Sequence, residues 1–196
     1  MKEVKFLSLL SLFFISFLSY SQNNVKVGDF YTFDDDTKGI VFYVNEEGHG
    51  LVLSLEEENL KWDNETHFVY CQDIVQITNE EYPSVEMHLG LGEFNTAFII
   101  AQLGDNKAPA ATYSRSQGLE WYLPSVAELY QLFSIANEHG EINKILIENG
   151  HKPLKGSYWT SSEYNNGEAW RIKLSGKVKR CSKLALRTNV RAVRQF

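Results

Sequence analysis

The spacing of hydrophobic and polar positions changes character twice along the chain. Between residues 30 and 55 the apolar residues fall into three strand-length runs, 30–33, 40–44 and 51–55, separated by the polar turns 34–39 and 46–50. That pattern predicts a meander of short antiparallel strands. From Val126 the period becomes helical: Val126, Leu129, Leu132, Phe133 and Ala136 recur at three- and four-residue intervals and lay one apolar stripe along about three turns. Pro124 bars Leu123 from helix, and Ser125 and Glu128 stand at capping-box spacing, so the segment Trp121-Tyr122-Leu123 is expected to be extended and to turn sharply into this helix. Shorter helices are predicted over residues 96–103, capped by Asn95 and closed by Gly104, over 108–116 following Pro109, and over 141–149 with Ile142, Ile145 and Leu146 inward.

Alternation returns in the last quarter. Residues 157–164 and 169–174 read as strands joined through Asn165-Asn166-Gly167, a hairpin signal. Trp170, Ile172 and Leu174 then face one way and Arg171 and Lys173 the other. The register of 177–181 stays open, because a loop of two or three residues would swap its faces. Residues 189–194 form a closing strand. Trp159 and Trp170 are expected to build the core that receives Leu129 and Phe133. The fold class is therefore α+β, with short helices packed on a twisted antiparallel sheet.

With 196 residues, 43% of them hydrophobic, the chain can bury one core, which sets a single domain over 22–196. Residues 1–21 read as a signal peptide: a short charged start, an apolar stretch from Phe6 to Leu18, and Ser19-Tyr20-Ser21 as the cleavage site. The stretch is too short for a comfortable span, so the mature protein is expected to be secreted, periplasmic or at the cell surface, without a membrane span. Export also lets Cys71 and Cys181 form a disulfide, although two buried thiols fit the sequence equally well. Residues 56–82 read as a long connection anchored by Trp62, Phe68 and Tyr70.

Charge divides the chain. Residues 1–151 hold 8 Lys and Arg against 23 Asp and Glu, whereas 152–196 hold 11 against 2. Either the halves neutralise each other inside the fold, or the basic end presents a face to a polyanion. The second reading makes Arg171, Lys173, Lys177, Lys179, Arg180, Arg191 and Arg194 ligand-binding residues, joined by Lys183 and Arg187, with Tyr164 at the rim. An anionic polysaccharide is then the expected partner; nucleic acid would match the charge, but export removes it as a natural one. The alternative is a structural or protein-interaction role in the cell envelope; a second and less favoured alternative is a carbohydrate-active enzyme using a pair of the chain's 25 acidic residues. Catalytic and metal-binding patterns are absent: the triple Asp34-Asp35-Asp36 lacks the alternating oxygens of a calcium loop, Gly90-Leu91-Gly92 lacks a preceding strand and a third glycine, and His49 sits alone at a turn. The expectation is a non-catalytic protein without a cofactor, in which Trp121, Pro124, Ser125, Glu128, Trp159 and Trp170 are structural.

Taken in order, Trp121-Tyr122-Leu123-Pro124-Ser125 with Glu128-Leu129, then Tyr158-Trp159-Thr160-Ser161-Ser162-Glu163, Ala169-Trp170, and Val190-Arg191-Ala192-Val193-Arg194 resemble the DUF1566 family, also called the Lcl C-terminal domain and related to the Fibrobacter major paralogous domains. The resemblance implies an exported bacterial protein with a fold similar to C-type lectins and formylglycine-generating enzymes. For some relatives it also implies binding of sulfated or other anionic glycans, and hence adhesion. The chain carries neither the Glu-Pro-Asn nor the Gln-Pro-Asp tripeptide of a calcium-dependent sugar site, nor the neighbouring cysteine pair of a sulfatase activator.

Overall fold

The computed structural model describes residues 25–67, 69, 90–134, 138–184 and 188–196. The proposed signal peptide, Phe68, Tyr70 and Ala136 lie outside them. The meander forms as expected: β1 (Phe30–Thr32), β2 (Lys38–Val44) and β3 (Gly50–Ser54) pair antiparallel. The long connection contains a further short strand, β4 (Glu58–Leu60). Among the described residues four helices follow: α1 (Leu91–Leu103), α2 (Pro109–Ser116), α3 (Val126–Ser134) and α4 (Glu138–Glu148). The C-terminal part supplies β5 (Ser157–Glu163), β6 (Glu168–Lys173), β7 (Val178–Ser182), β8 (Thr188–Val190) and β9 (Val193–Gln195).

Two sheets result. One is four-stranded and antiparallel, in the order β1-β2-β3-β9; the other runs β4-β8-β5-β6-β7 and is mixed, because β5 and β8 are parallel. The expected closing strand is thus two strands in different sheets, with Arg191 and Ala192 at the crossing. Both residues are buried, so the chain passes between the sheets through the interior. Among the described residues no helix is long and apolar enough to cross a membrane.

The α3 stripe is inward-facing as predicted. Val126, Leu129, Leu132 and Phe133 join one core with Ile40, Phe42 and Leu53 from the first sheet, Tyr158 and Ile172 from the second, and Ile142 and Leu146 from α4. Phe133 packs against Tyr158 with ring centroids 5.5 Å apart. The two tryptophans do not share this core. Trp170 only flanks it, whereas the fully buried Trp159 lies in a second cluster with Trp62, Ile99, Leu123, Ala169 and Val190. Neighbours on a strand face opposite sides, so Tyr158 reaching α3 sends Trp159 the other way.

The geometry at the start of α3 holds the elements together. Ser125 N–H donates to Glu128 Oε2 at 2.7 Å and Glu128 N–H to Ser125 Oγ at 3.3 Å, a complete capping box. Glu128 is fully buried and also accepts the N–H of Gly90 (2.9 Å), the N–H of Gly92 (3.2 Å) and the Tyr122 hydroxyl (3.1 Å). One carboxylate thereby anchors both the α3 cap and the first residues of α1. This moves the α1 start from the expected Asn95 to Gly90, which has a φ of 84° that favours glycine. Asn95 lies inside the helix, buried, and its Nδ2 donates to Ser161 Oγ at 3.2 Å. Gly92 has no room for a side chain, because a Cβ there would lie 2.3 Å from Glu128 Oε2 and 2.7 Å from the Ser125 nitrogen.

The same segment ties the two sheets together. Tyr122 exchanges both backbone hydrogen bonds with Val193 of β9 at 2.9 Å, while Ser161 of β5 donates to the Pro124 carbonyl at 2.7 Å and Ser162 Oγ accepts the Val126 N–H at 3.0 Å. Thr96 of α1 adds a third link: its hydroxyl donates to the Gly92 carbonyl and accepts the Leu123 N–H.

Burial raises the Glu128 carboxyl to about 7, and its backbone and hydroxyl donors restrain it from rising further. Two outcomes follow. Gly92→Ala should destabilise the protein by about 2 kcal/mol, as overpacking of a filled interior does, measured by urea denaturation. The second concerns pH. The folded carboxyl binds a proton more tightly than the free side chain, whose value is 4.5, so stability should fall as pH rises from about 4.5 through 7, by on the order of 3 kcal/mol. Glu128→Gln should flatten that part of the profile, and identical slopes for both proteins would contradict the assignment.

Candidate functional site

The β6–β7 hairpin carries most of the predicted ligand-binding residues, and its turn decides where they point. Lys173 N–H donates to the Lys177 carbonyl at 3.0 Å and Gly176 N–H to the Lys173 carbonyl at 2.8 Å, closing a three-residue turn through Leu174, Ser175 and Gly176. Gly176 takes a φ of 76°, the conformation expected at the end of such a loop. Arg171 consequently faces Lys179, Trp170 faces Arg180, and Ala169 faces Cys181. Residues opposite one another share a face, so Arg171, Lys173, Lys177 and Lys179 lie on one side of the hairpin.

Arg180 and Tyr164 lie on the other side. The Arg180 guanidinium sits 4.4 Å from the centre of the Tyr164 ring, which packs edge-on against Trp170 at 5.4 Å. Tyr164 is therefore not at the rim of the four-cation face.

Arg191 and Arg194 are corrections to the expected site. Arg191 is 1% exposed; it contacts Glu57 Oε2 at 3.2 Å and donates to the Lys152 carbonyl at 2.7 Å. Tyr158 donates to the same Glu57 oxygen. Arg194 is buried over the Phe33 ring, donates to both Asp35 oxygens at 2.9 and 2.8 Å, and pairs with Glu120. The Thr37 hydroxyl, with help from Arg194 and against the push of desolvation, holds the Asp35 carboxyl down to about 2. The aspartate triplet is exposed, as a solvated turn would be, and its central member also anchors the C-terminal strand through Arg194. Thr37 Oγ1 also accepts the Trp121 indole N–H at 3.1 Å, which gives that buried tryptophan its polar partner.

Lys183 is likewise internal. It pairs with Glu163, donates to the His67 carbonyl at 2.6 Å and lies 4.4 Å from the Trp62 ring centre, and both members of the pair are fully buried. Arg187 and Cys71 lie outside the described residues. Cys181 is buried beside Ala169 and has no disulfide partner among the described residues.

The two charge readings consequently divide the C-terminal cations between them. Arg191 and Arg194 neutralise acids of the first 151 residues, whereas Lys183 pairs with Glu163 inside the basic part itself. Among the described residues, the ion pairs of lysine and arginine run through Lys107, Lys144, Lys183, Arg191 and Arg194, and none through Arg171, Lys173, Lys177, Lys179 or Arg180. A row of unneutralised cations on a two-stranded ribbon can hold anionic groups by several weak, salt-sensitive contacts. Among the described residues there is no group of three or more His, Cys, Asp or Glu side chains placed to hold a metal ion.

A different surface was not signalled by any motif. Phe94 of α1 and Leu119 after α2 are 65% and 84% exposed, and with Ala97, Ile100 and Arg115 they border an apolar hollow of about 610 Å³. In sequence Phe94 precedes the predicted Asn95 cap and Leu119 lies between Gly118 and Glu120, so neither falls in a predicted element.

No family model and no curated protein matches the chain. Among solved structures, it is similar in fold to a fimbrial protein from Bacteroides ovatus, at 17% sequence identity and a TM-score of 0.58. The match covers 87% of this chain and 48% of that one, so the chain spans about half the length of its structural neighbour.

Proposed function

We propose that the protein is an exported, non-catalytic binding module of the bacterial cell surface, with a C-type-lectin-like fold of the DUF1566 type, and that it holds anionic polysaccharide on the β6–β7 hairpin, along the face that carries Arg171, Lys173, Lys177 and Lys179. One observation carries this reading: the three-residue turn places Arg171, Lys173, Lys177 and Lys179 on a single face, and among the described residues none of them is paired with an acid. The fold shared with a fimbrial protein supports a place at the surface and an adhesive role. The sequence contributes the apolar leader and the composite of aromatic and basic motifs.

Cations at this density suit sulfate or carboxylate groups spaced along a polymer, because each contact is worth only about 0.2–1 kcal/mol and affinity comes from their number. A second reading, docking of an envelope protein, is favoured by the exposed Phe94 and Leu119 around the apolar hollow. The two differ in salt dependence, since ion pairing weakens with added salt and apolar contact does not.

Chromatography of the mature protein on immobilised heparin tests the first reading. Retention at low salt should fall steeply as salt is raised, and Lys177→Glu with Lys179→Glu should weaken binding by about tenfold or more. Flow-through of the unaltered protein at low salt excludes the reading. Salt-insensitive retention that is lost on Phe94→Ser and Leu119→Ser instead favours the protein-docking alternative.

A further inference from the structure

The β5 and β8 strands run parallel and are paired at Tyr158 and Asn189; beside that pairing a groove of about 380 Å³ opens on the surface. Its volume falls within the roughly 300–1,000 Å³ typical of small-molecule sites. Arg171, Ser157 and Thr188 line it together with Lys155, Gly156 and the asparagines Asn59 and Asn189.

Two polar groups in this lining lack partners. Thr188 is 4% exposed, and among the described residues its hydroxyl makes no hydrogen bond. The Nε of Arg171 is covered and equally unpartnered, and no acid neutralises this guanidinium among the described residues. Buried polar groups are rarely left unsatisfied without an occupant to match them. Lys155, an exposed residue, also lines the groove.

The asparagines are arranged to hold the walls. Asn189 Nδ2 donates to the Lys155 carbonyl at 2.6 Å and fixes the loop before β5 against β8. Asn59 Nδ2 donates to Asn189 Oδ1 at 3.1 Å. The neighbouring acid, Glu58, accepts the Asn59 backbone N–H at 3.2 Å.

We propose that this groove is a discrete subsite for one acidic sugar residue, with Arg171 and Lys155 holding its sulfate or carboxylate and Thr188 and Asn59 contacting an adjacent ring hydroxyl. The planar guanidinium suits a two-oxygen contact with either anion. The Thr188 hydroxyl can donate or accept, and a saccharide supplies the complementary groups beside its anion. The subsite rests on the polysaccharide reading above and deepens it: the hairpin face gives avidity for the polymer, while the groove selects a sugar bearing the charge. Arg171 belongs to both, whereas Lys155 and Thr188 belong to the groove alone.

The test is an amide-resolved NMR titration of the mature protein with glucose 6-sulfate, glucuronic acid, glucose and inorganic sulfate. The acidic sugars should shift the amides of Gly156, Ser157 and Asn189, and glucose should not. Inorganic sulfate should bind more weakly at the same amides. Lys155→Ala and Thr188→Val should each weaken acidic-sugar binding about fivefold, and should lower retention on the heparin column far less than Lys177→Glu with Lys179→Glu does. Unshifted groove amides in a protein still retained by the polymer overturn the subsite alone. Inorganic sulfate binding as tightly as the sugars overturns the sugar assignment, and loss of both signals removes the polysaccharide reading with it.

Discussion

A single buried carboxylate sets the arrangement of the elements around it. Glu128 has no basic partner among the hydrogen bonds it makes; its charge is met by backbone N–H groups from two segments and by the Tyr122 hydroxyl. Gathered donors of this kind take over the role of lost water, and each becomes a buried orphan if the acceptor is removed. The arrangement binds α1 to α3 before any side chain of the core is considered. The segment 121–126 extends the connection, pairing with β9 through Tyr122 and with β5 through Pro124 and Val126. Helices and both sheets therefore meet at one short stretch of chain.

Placement of charge follows from this frame. Once β9 is held against β3 and Tyr122, Arg194 lies over Phe33 and meets Asp35 and Glu120, while Arg191 at the crossing between sheets meets Glu57. Buried arginines of this kind are pinned by their acids, and removal of one partner leaves an uncompensated charge inside the protein. The β6–β7 hairpin lies at the edge of the second sheet, where Lys177, Lys179 and Arg180 are exposed and Arg171 and Lys173 half-buried. The acidic first part and the basic last part thus meet internally at particular residues, and a basic surplus remains on the ribbon.

Much of this was legible in the sequence where the determinants are local. The capping box, the α3 stripe, the Asn-Gly turn and the α+β character all depend on residues within a turn or two of each other, and they stand as expected. The misplacements have long-range causes. Asn95 looks like a helix cap, but the true start of α1 is set by Glu128, 38 residues beyond Gly90. Trp159 looks like a partner for Phe133, yet strand alternation assigns that place to Tyr158. Arg191 and Arg194 read as surface cations because their acids lie 134 and 159 residues away, and no spacing rule reaches so far. The groove at Thr188 carries no motif: it arises from the spatial meeting of β5 and β8.

Native-state hydrogen exchange of the amides that converge on Glu128 is the most direct measure of whether this carboxylate organises the fold. Gly90 and Gly92, although they stand at the very start of a helix where amides ordinarily fray, should be protected nearly as strongly as Ser125 and the central residues of β5. Rapid exchange at the two glycines, with β5 still protected, would show that α1 is held by packing alone and would contradict the central place given to Glu128.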